Sequence, residues 1–565
     1  MRRRIISIFL LLLLSLGGVA AKLFFLQIQQ RDRLAERATK QYQRRLPILS
    51  RRGTIYDRTG RELAVSLKVT SVFAQPAAVE DPAATAKALA PILDQPASDL
   101  AARLTTDKPF VWLQRQLDPA QAEAITDLNL KGIGLFPESR RYYPRQELAA
   151  HVLGLVGLDD RGLEGLEHQY DDLLGGQPEF VSAQQDALGR VIFRQEEPER
   201  RAPIFDLTLT INEVLQYITE RELQRAVEHS RAKAGTAIVM DPWNGEILAL
   251  ANQPTYDPNN YRISNAAARR NRAVTDAFEP GSVFKVILAA GALEEGVVRP
   301  GDRFFGENGA IEVSGVTIRD HEKYGWLTVR EILTHSSNVG AIKIGQKLGK
   351  SFYYHYISGF GFGSLTGLDL PGETPGLMRR PKGWSALSLS ALSLGQEISV
   401  TPVQIATAFA AVANGGNLVR PHVVRGLTAQ DASLSRQVEP VAIRRVISPE
   451  TAQTLLEMLR DAVEQGTGKQ AALEEYTVAG KTGTAQKMDP ATGRYSHQKI
   501  VASFVGAVPA ESPRLVILVL IDEPETLRWG GSIAAPTFRD IARDALKYLQ
   551  VPPSPARDMR LVRAS

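Results

Sequence analysis

Ser282 and Lys285 stand three residues apart at the front of an apolar run, FEPGSVFKVILAAGALEEG (278–296). A serine hydroxyl is a weak nucleophile until a neighbouring base takes its proton. A lysine at its ordinary pKa is no base at neutral pH, but desolvation among Val283, Phe284, Val286 and Ile287 favours the neutral amine. Residues three apart on a helix share a face, so the amine is expected within hydrogen-bond reach of the Ser282 hydroxyl. Displacing a lysine pKa by about three corresponds to roughly 4 kcal/mol, large against a marginal fold, so a lysine without a chemical task would turn to water. Gly281 permits close backbone approach at the helix start, and Pro280 fixes the entry. A lone S-x-x-K also arises by chance, so the pair needs company.

Company comes in two further motifs. THSSNVGAIKIG places Ser336, Ser337 and Asn338 ahead of another apolar helical stretch. Ser336 is suited to relay a proton between nucleophile, lysine and leaving amine, and the Asn338 amide to orient a substrate carbonyl and Lys285. Alone, such a triplet would more often cap a helix. Then Lys481-Thr482-Gly483-Thr484 falls inside a strand-like run, YTVAGKTGTAQ (476–486). The Lys481 ammonium suits a substrate carboxylate, with the Thr482 and Thr484 hydroxyls assisting. Gly483 leaves room for an extended peptide to pair along the strand edge. The backbone N–H groups of Ser282 and Thr484 are the expected oxyanion hole.

Those residues need a scaffold, and 565 residues are too many for one ordinary core. A hydrophobic share of 44% against 23% charged describes folded domains rather than disorder. The net charge of +5 is spread along the chain, and no basic run interleaved with aromatics forms a nucleic-acid groove. The absence of cysteine excludes disulfides, thiolate catalysis and sulfur-ligated metal together. Eight histidines are scattered without H-E-x-x-H spacing, so neither metal nor cofactor is expected; His335, beside Ser336, is the one worth testing. GTGK (466–469) lacks the rest of a phosphate-binding loop and reads as a loop after a helix.

Behind MRRR, residues 5–28 are apolar enough to span a bilayer, with Lys22 snorkelling at the outer edge and Arg2, Arg3 and Arg4 held on the cytoplasmic side. A cleaved signal peptide is the rival reading, because Gly18-Val19-Ala20 offers small residues to a peptidase. The apolar stretch runs past Ala21 into an expected helix, RDRLAERATKQYQRR, which favours the uncleaved anchor. Both readings export the remainder.

Residues 29–205 mix strand-like TSVFA (70–74) with helical DPAATAKALAPILD (81–94), and this pedestal shows no catalytic constellation. From 206 to 550 the pattern changes. LTLTI (207–211) leads into a helix with Val214, Leu215, Ile218, Leu223 and Val227 along one face. GTAIVMDP and GEILALAN form a hairpin turning at Asn244-Gly245. A largely helical block fills 280–465, strands return at 476–486, 500–509 and 514–522, and a helix at 534–550 closes the domain before a proline-rich tail, 551–565. The expected fold is α+β: a mostly antiparallel five-stranded sheet covered by terminal helices, an inserted helical subdomain beside it, and a cleft at their junction.

S-x-x-K, S-x-N and K-T-G in this order are the signature of penicillin-binding proteins and class A β-lactamases. The chain resembles the class B penicillin-binding proteins, membrane-anchored peptidoglycan D,D-transpeptidases. RRGTIYDRTGRELA (51–64), RRYYPRQELAAHVLGLVG and GLEGLEHQYDDLL (within 140–174) resemble that family's pedestal, also termed its dimerisation domain. MDPWNGEILALANQPTYDPN and LGQEISVTPVQIATAFAAVANGG extend the resemblance across nearly the whole chain. The middle motif carries Ser337 where the family has aspartate, at its loose central position. NRAVTDAFEPGS is closer to division-type members than to elongation-type ones.

The resemblance implies acylation of Ser282 by a stem peptide with release of D-alanine, transfer to a neighbouring amine, and acylation by β-lactams. It implies a glycosyltransferase of the SEDS family and other division proteins as membrane partners, because no polymerising domain is expected within this chain. The alternatives are an elongation-type enzyme, a carboxypeptidase or β-lactamase-type hydrolase, and an inactive β-lactam-binding sensor or scaffold. The intact motifs and single anchor weigh against the sensor and scaffold; the lack of a class A-like glutamate motif weighs against the hydrolase.

Overall fold

The computed structural model describes residues 2–34, 43–48, 52–175, 179–185, 191–193, 203–489 and 493–554, which fall into two compact units. The first holds an apolar helix, α1 (Arg2–Phe24), continued by a π-turn, Phe25–Gln29. Together these 28 residues are long and apolar enough to cross a membrane. The unit also holds a three-stranded antiparallel sheet of Gln43–Ile48, Glu179–Gln185 and Val191–Phe193. The helix expected over 31–45 is therefore corrected at its end: residues 31–34 are helical, 35–42 lie outside the described residues, and 43–45 are strand. QRRLPI has no helical or alternating period of its own, and its pairing with Glu179–Gln185 decides the matter.

In the second unit the pedestal is built on a bent sheet, β1 (Ile55–Tyr56) and β2 (Glu62–Ala74), and on the helices α2 (Pro82–Leu93) and α3 (Ala97–Leu104). β3 (Val111–Leu117), α4 (Pro119–Leu128) and β4 (Ile133–Tyr142) complete it. β2 pairs antiparallel with both β3 and β4. Val72, Ala74, Leu113 and Leu117 on one face meet Leu89, Leu93, Leu100 and Ile125 from the helices. α2 begins where the Asp81 carboxylate accepts hydrogen bonds from Ala83 N and Ala84 N, both at 3.0 Å.

The catalytic region runs through β5 (Phe205–Leu209), α5 (Glu213–Ser230), β6 (Ala234–Met240) and β7 (Ile247–Gln253). α6 (Lys285–Glu294), α7 (Asn338–Leu348), α8 (Pro402–Ala413) and β8 (Val424–Ala429) follow. β9 (Ala479–Asp489), β10 (Arg494–Val508), β11 (Leu515–Asp522) and α9 (Ala534–Tyr548) close it. The main sheet has the expected five antiparallel strands in the order β7-β6-β11-β10-β9. Its central strands are apolar on both faces because both are covered. Ile517, Val519 and Ile521 pack toward α5 and α9, while Val516 and Leu518 pack toward the helical block. There α8, flanked by a Thr401–Gln404 capping box, is buried along its entire length.

The inserted block is less helical than its sequence suggests. It carries the hairpins Arg303–Phe305 with Trp326–Thr328 and Ala310–Val313 with Val316–Arg319, and it contributes β8. β8 pairs antiparallel with β5, and β5 pairs parallel with β1, so one sheet runs continuously from this block into the pedestal. Short strands of three to six residues leave too little periodicity to detect. The three pedestal stretches also meet. Arg52 Nε and Arg141 Nε each donate to Glu167 at 2.6 Å, Arg52 Nη1 reaches Asp171 at 2.6 Å, and neither Arg52 nor Glu167 is exposed.

Candidate active site

Ser282 lies in a 3-10 turn, Gly281–Phe284, directly ahead of α6. The turn is seated by its surroundings. Gly281 has φ +56°, its N–H donates to Gly395 O at 3.1 Å, and a Cβ there would stand 3.1 Å from Thr484 O. Phe278 and Val400 exchange backbone hydrogen bonds at 3.0 and 2.9 Å, so the LGQEISV segment splints the chain that leads into the nucleophile.

Lys285, the first residue of α6, is 1% exposed. Its Nζ reaches Ser336 O at 2.7 Å, Asn338 Oδ1 at 2.8 Å and Ser336 Oγ at 3.3 Å. Spacing puts the amine within reach of the Ser282 hydroxyl, but its hydrogen bonds among the described residues go to the second motif instead. A buried amine directs its hydrogens to the fixed carbonyl and amide oxygens of the second motif, and Ser282 sits in the tighter turn before the α-helix. Burial pushes Lys285 down from the ordinary 10.5 to about 7, partly opposed by the negative charge of Asp320. A neutral amine giving two hydrogens to Ser336 O and Asn338 Oδ1 keeps its lone pair free to take a proton.

Ser336 has φ +58°, which lets its carbonyl and hydroxyl both turn toward Lys285. Ser337 caps α7, its Oγ accepting from Gly340 N at 3.0 Å. Asn338 Nδ2 donates to Arg319 O at 2.8 Å, leaving Oδ1 for the lysine. His335 stacks on Tyr324, with ring centroids 5.6 Å apart.

The third motif lies on β9, at the end of the five-stranded order, with Lys481 opposite Val505 and Thr484 opposite Ala502. Lys481 is fully buried and its Nζ reaches Thr482 O at 3.2 Å. Burial, and then the charge of Lys285, lower its pKa well below the usual lysine range. At Gly483 the backbone that comes close belongs to this chain itself. A Cβ there would come within 2.5 Å of Ser503 Oγ, 2.8 Å of Val283 Cγ2 and 3.0 Å of Pro280 O, so the chain's own nucleophile turn takes that space. Thr482 Oγ1 and Thr467 Oγ1 are 2.8 Å apart, and Thr484 Oγ1 accepts from Gly530 N at 3.1 Å. A cavity of about 230 Å³ continues beyond Thr484, lined among others by Phe278, Glu279, Gln486 and Lys487. Glu279 Oε1 accepts there from Tyr495 Oη at 3.0 Å.

Thus Lys285, Ser336 and Asn338 share one hydrogen-bonded cluster, and Gly281 and Gly483 seat the nucleophile turn against β9. Sequence reasoning missed Asp320, Arg319, Glu279 and Thr467. Thr467 lies in the GTGK loop, whose only sequence signal is its position after a helix.

The family model of the penicillin binding protein transpeptidase domain matches residues 235–543, and that of the penicillin-binding protein dimerisation domain matches residues 47–204. Peptidoglycan D,D-transpeptidase FtsI of Escherichia coli is 36% identical, covering 96% of this chain and 91% of the relative. Stage V sporulation protein D of Bacillus subtilis is 34% identical, covering 98% and 86%. The crystal structure of penicillin binding protein 3 from Mycobacterium tuberculosis, complexed with aztreonam, is 29% identical with a TM-score of 0.71, covering 90% of this chain and 98% of that one. With the two domain models matching residues 47–204 and 235–543, the chain belongs to the penicillin-binding proteins that join a dimerisation domain to a transpeptidase domain.

Proposed function

We propose that this chain is a membrane-anchored serine D,D-transpeptidase that cross-links peptidoglycan stem peptides and is acylated by β-lactams. The observation that carries the reading is the Lys285 amine, buried, lowered to about 7, and held by Ser336 and Asn338 beside the Ser282 turn. Ser282 Oγ attacks the carbonyl between the two terminal D-alanines and its proton passes to Lys285. The oxyanion rests on the N–H groups of Ser282 and Thr484. Its collapse breaks the C–N bond, and D-alanine leaves with a proton relayed through Ser336. An amine from a second stem then attacks the ester, gives up a proton along the same path, and frees Ser282. Asn338 orients the lysine and the substrate amide.

Lys481 receives the terminal carboxylate, with Thr482 and Thr484 beside it and Gly483 between them. An arriving carboxylate raises the proton affinity of Lys481, and the resulting positive charge holds Lys285 neutral. A β-lactam, with a strained amide and a carboxylate, takes the same route and stops at the ester. Residues 2–29, long and apolar enough to cross a membrane, support an anchor, and the arginines at 2–4 favour the catalytic region on the outer face. The division-type segment before Ser282 supports septal cross-linking beside a SEDS-family glycosyltransferase.

The test is labelling of the full chain in detergent with a fluorescent penicillin, read by intact mass. One stable adduct in the wild type, missing in Ser282→Ala, is the expected result. An unlabelled wild type that melts cooperatively would overturn the reading, and an adduct that decays within minutes would make the protein a hydrolase.

A further inference from the structure

We propose that Asp320 is a positioning residue for acylation: its carboxylate fixes the start of α7, and through Asn338 it sets where the Lys285 amine is held. The inference rests on the transpeptidase reading above. Asp320 closes the hairpin Ala310–Val313 with Val316–Arg319, and its own N–H donates to Gly309 O at 2.9 Å. Its carboxylate accepts from Ser337 Oγ at 2.8 Å, from Val339 N at 3.2 Å and from Asn338 N. Arg319 O takes the Asn338 side-chain Nδ2 at 2.8 Å. Two consecutive residues of the hairpin therefore hold Asn338 by its backbone and by its amide. With Nδ2 committed to Arg319 O, Oδ1 is left for Lys285 at 2.8 Å.

Helix capping alone is the plainer account. However, α7 already has its cap in Ser337, whose Oγ accepts from Gly340 N. Asp320 adds a charge from a separate element at the two leading N–H groups, and Arg319 O fixes an amide orientation that no cap requires. Asp320 also acts on the lysine through space. Among the described residues the charge acting on Lys285 is that of Asp320 from the hairpin, which favours its protonated form, and Lys285 in turn lowers the proton affinity of Lys481 on β9. Removing the Asp320 charge should therefore make Lys285 less basic while loosening the amide that holds it.

The experiment measures the penicillin acylation rate of the full chain between pH 5.5 and 9 for wild type, Asp320→Asn, Asp320→Glu and Ser337→Ala. Asp320→Asn should lower the high-pH plateau at least tenfold and move the midpoint of the rising limb to lower pH. Asp320→Glu, which keeps the charge on a longer stem, should return the midpoint to wild type with a reduced plateau, and it carries the test if Asp320→Asn fails to fold. Ser337→Ala removes the cap on Gly340 N and one hydrogen bond to Asp320 but leaves the Asp320 charge in place, and should lower the melting temperature with no midpoint shift. Repeating the series in a His335→Asn background removes the imidazole next to Ser336 as a source of the limb. A plateau and midpoint unchanged in Asp320→Asn, or an Asp320→Glu profile shifted as far as that of Asp320→Asn, would overturn the proposal. A wild type that forms no adduct defeats the transpeptidase reading itself, whereas a labelled wild type with unshifted variants defeats only the role of Asp320.

Discussion

Two lysines, Lys285 and Lys481, sit in one catalytic region with 1% and 0% of their surface exposed. Neither has a carboxylate in direct contact among the described residues, so the usual remedy for a buried cation is missing and the neutral form is favoured instead. For Lys285 the displacement from 10.5 to about 7 amounts to about 5 kcal/mol of preference for the amine. That preference makes it a base at neutral pH. Below about pH 7 the acylation rate should fall about tenfold per pH unit, and above it the rate should level off, as a stopped assay with labelled penicillin would record. Between about pH 7 and 10.5 the unfolded chain holds the extra proton, so this residue makes stability rise with pH across that window. Lys285→Arg should cost about 10²–10⁴-fold in acylation while the protein still binds the antibiotic reversibly, because a guanidinium keeps its proton at any of these pH values. Retention of the wild-type rate would rule out Lys285 as the base.

At the level of elements, the cleft depends on close approaches that no side chain can tolerate. A Cβ on Gly395 would fall 2.1 Å from Gly281 O, and Gly395 has φ +74°. Gly395→Ala should therefore displace the Ser282 turn and cut acylation tenfold or more, with a smaller effect on the melting temperature. Equal acylation by the variant would mean that the turn is held elsewhere. The large elements were legible beforehand because their patterns are strong: apolar runs for β6 and β11, and a turn at Asn244-Gly245. The three motifs were legible for the same reason. Asp320 was not, because RDHEK is a polar stretch with no period, and its value lies wholly in contacts made across a hairpin. The Ser282–Lys285 bond was expected from spacing alone, and spacing says nothing of Ser336 O, a backbone atom brought in by a left-handed serine.

For the molecule as a whole, pedestal and catalytic region are joined by shared structure rather than by a linker. The Arg52–Glu167–Arg141 cluster draws on all three family-like pedestal stretches, and Asp57 accepts from Glu213 N at 3.1 Å, tying the first of them to the start of α5. Glu167→Gln leaves two buried guanidiniums short of charge and should cost about 3–5 kcal/mol in urea denaturation. A loss below about 1 kcal/mol would show that water compensates the arginines. Tyr170 Oη also reaches Asp369 at 3.3 Å, and the same carboxylate accepts from Val423 N and Val424 N at the edge of β8. In the sheet common to both regions Ile55 faces Leu207, and Leu207 faces Leu427. A growing chain reaches these partners in that order, so β1 waits through the making of most of the protein before its sheet is complete. By then the serine, its lysine and the second motif have all been synthesised, and only Lys481 and its neighbours are still to come. A chain still being made therefore carries its nucleophile and its base before the strand that bears Lys481.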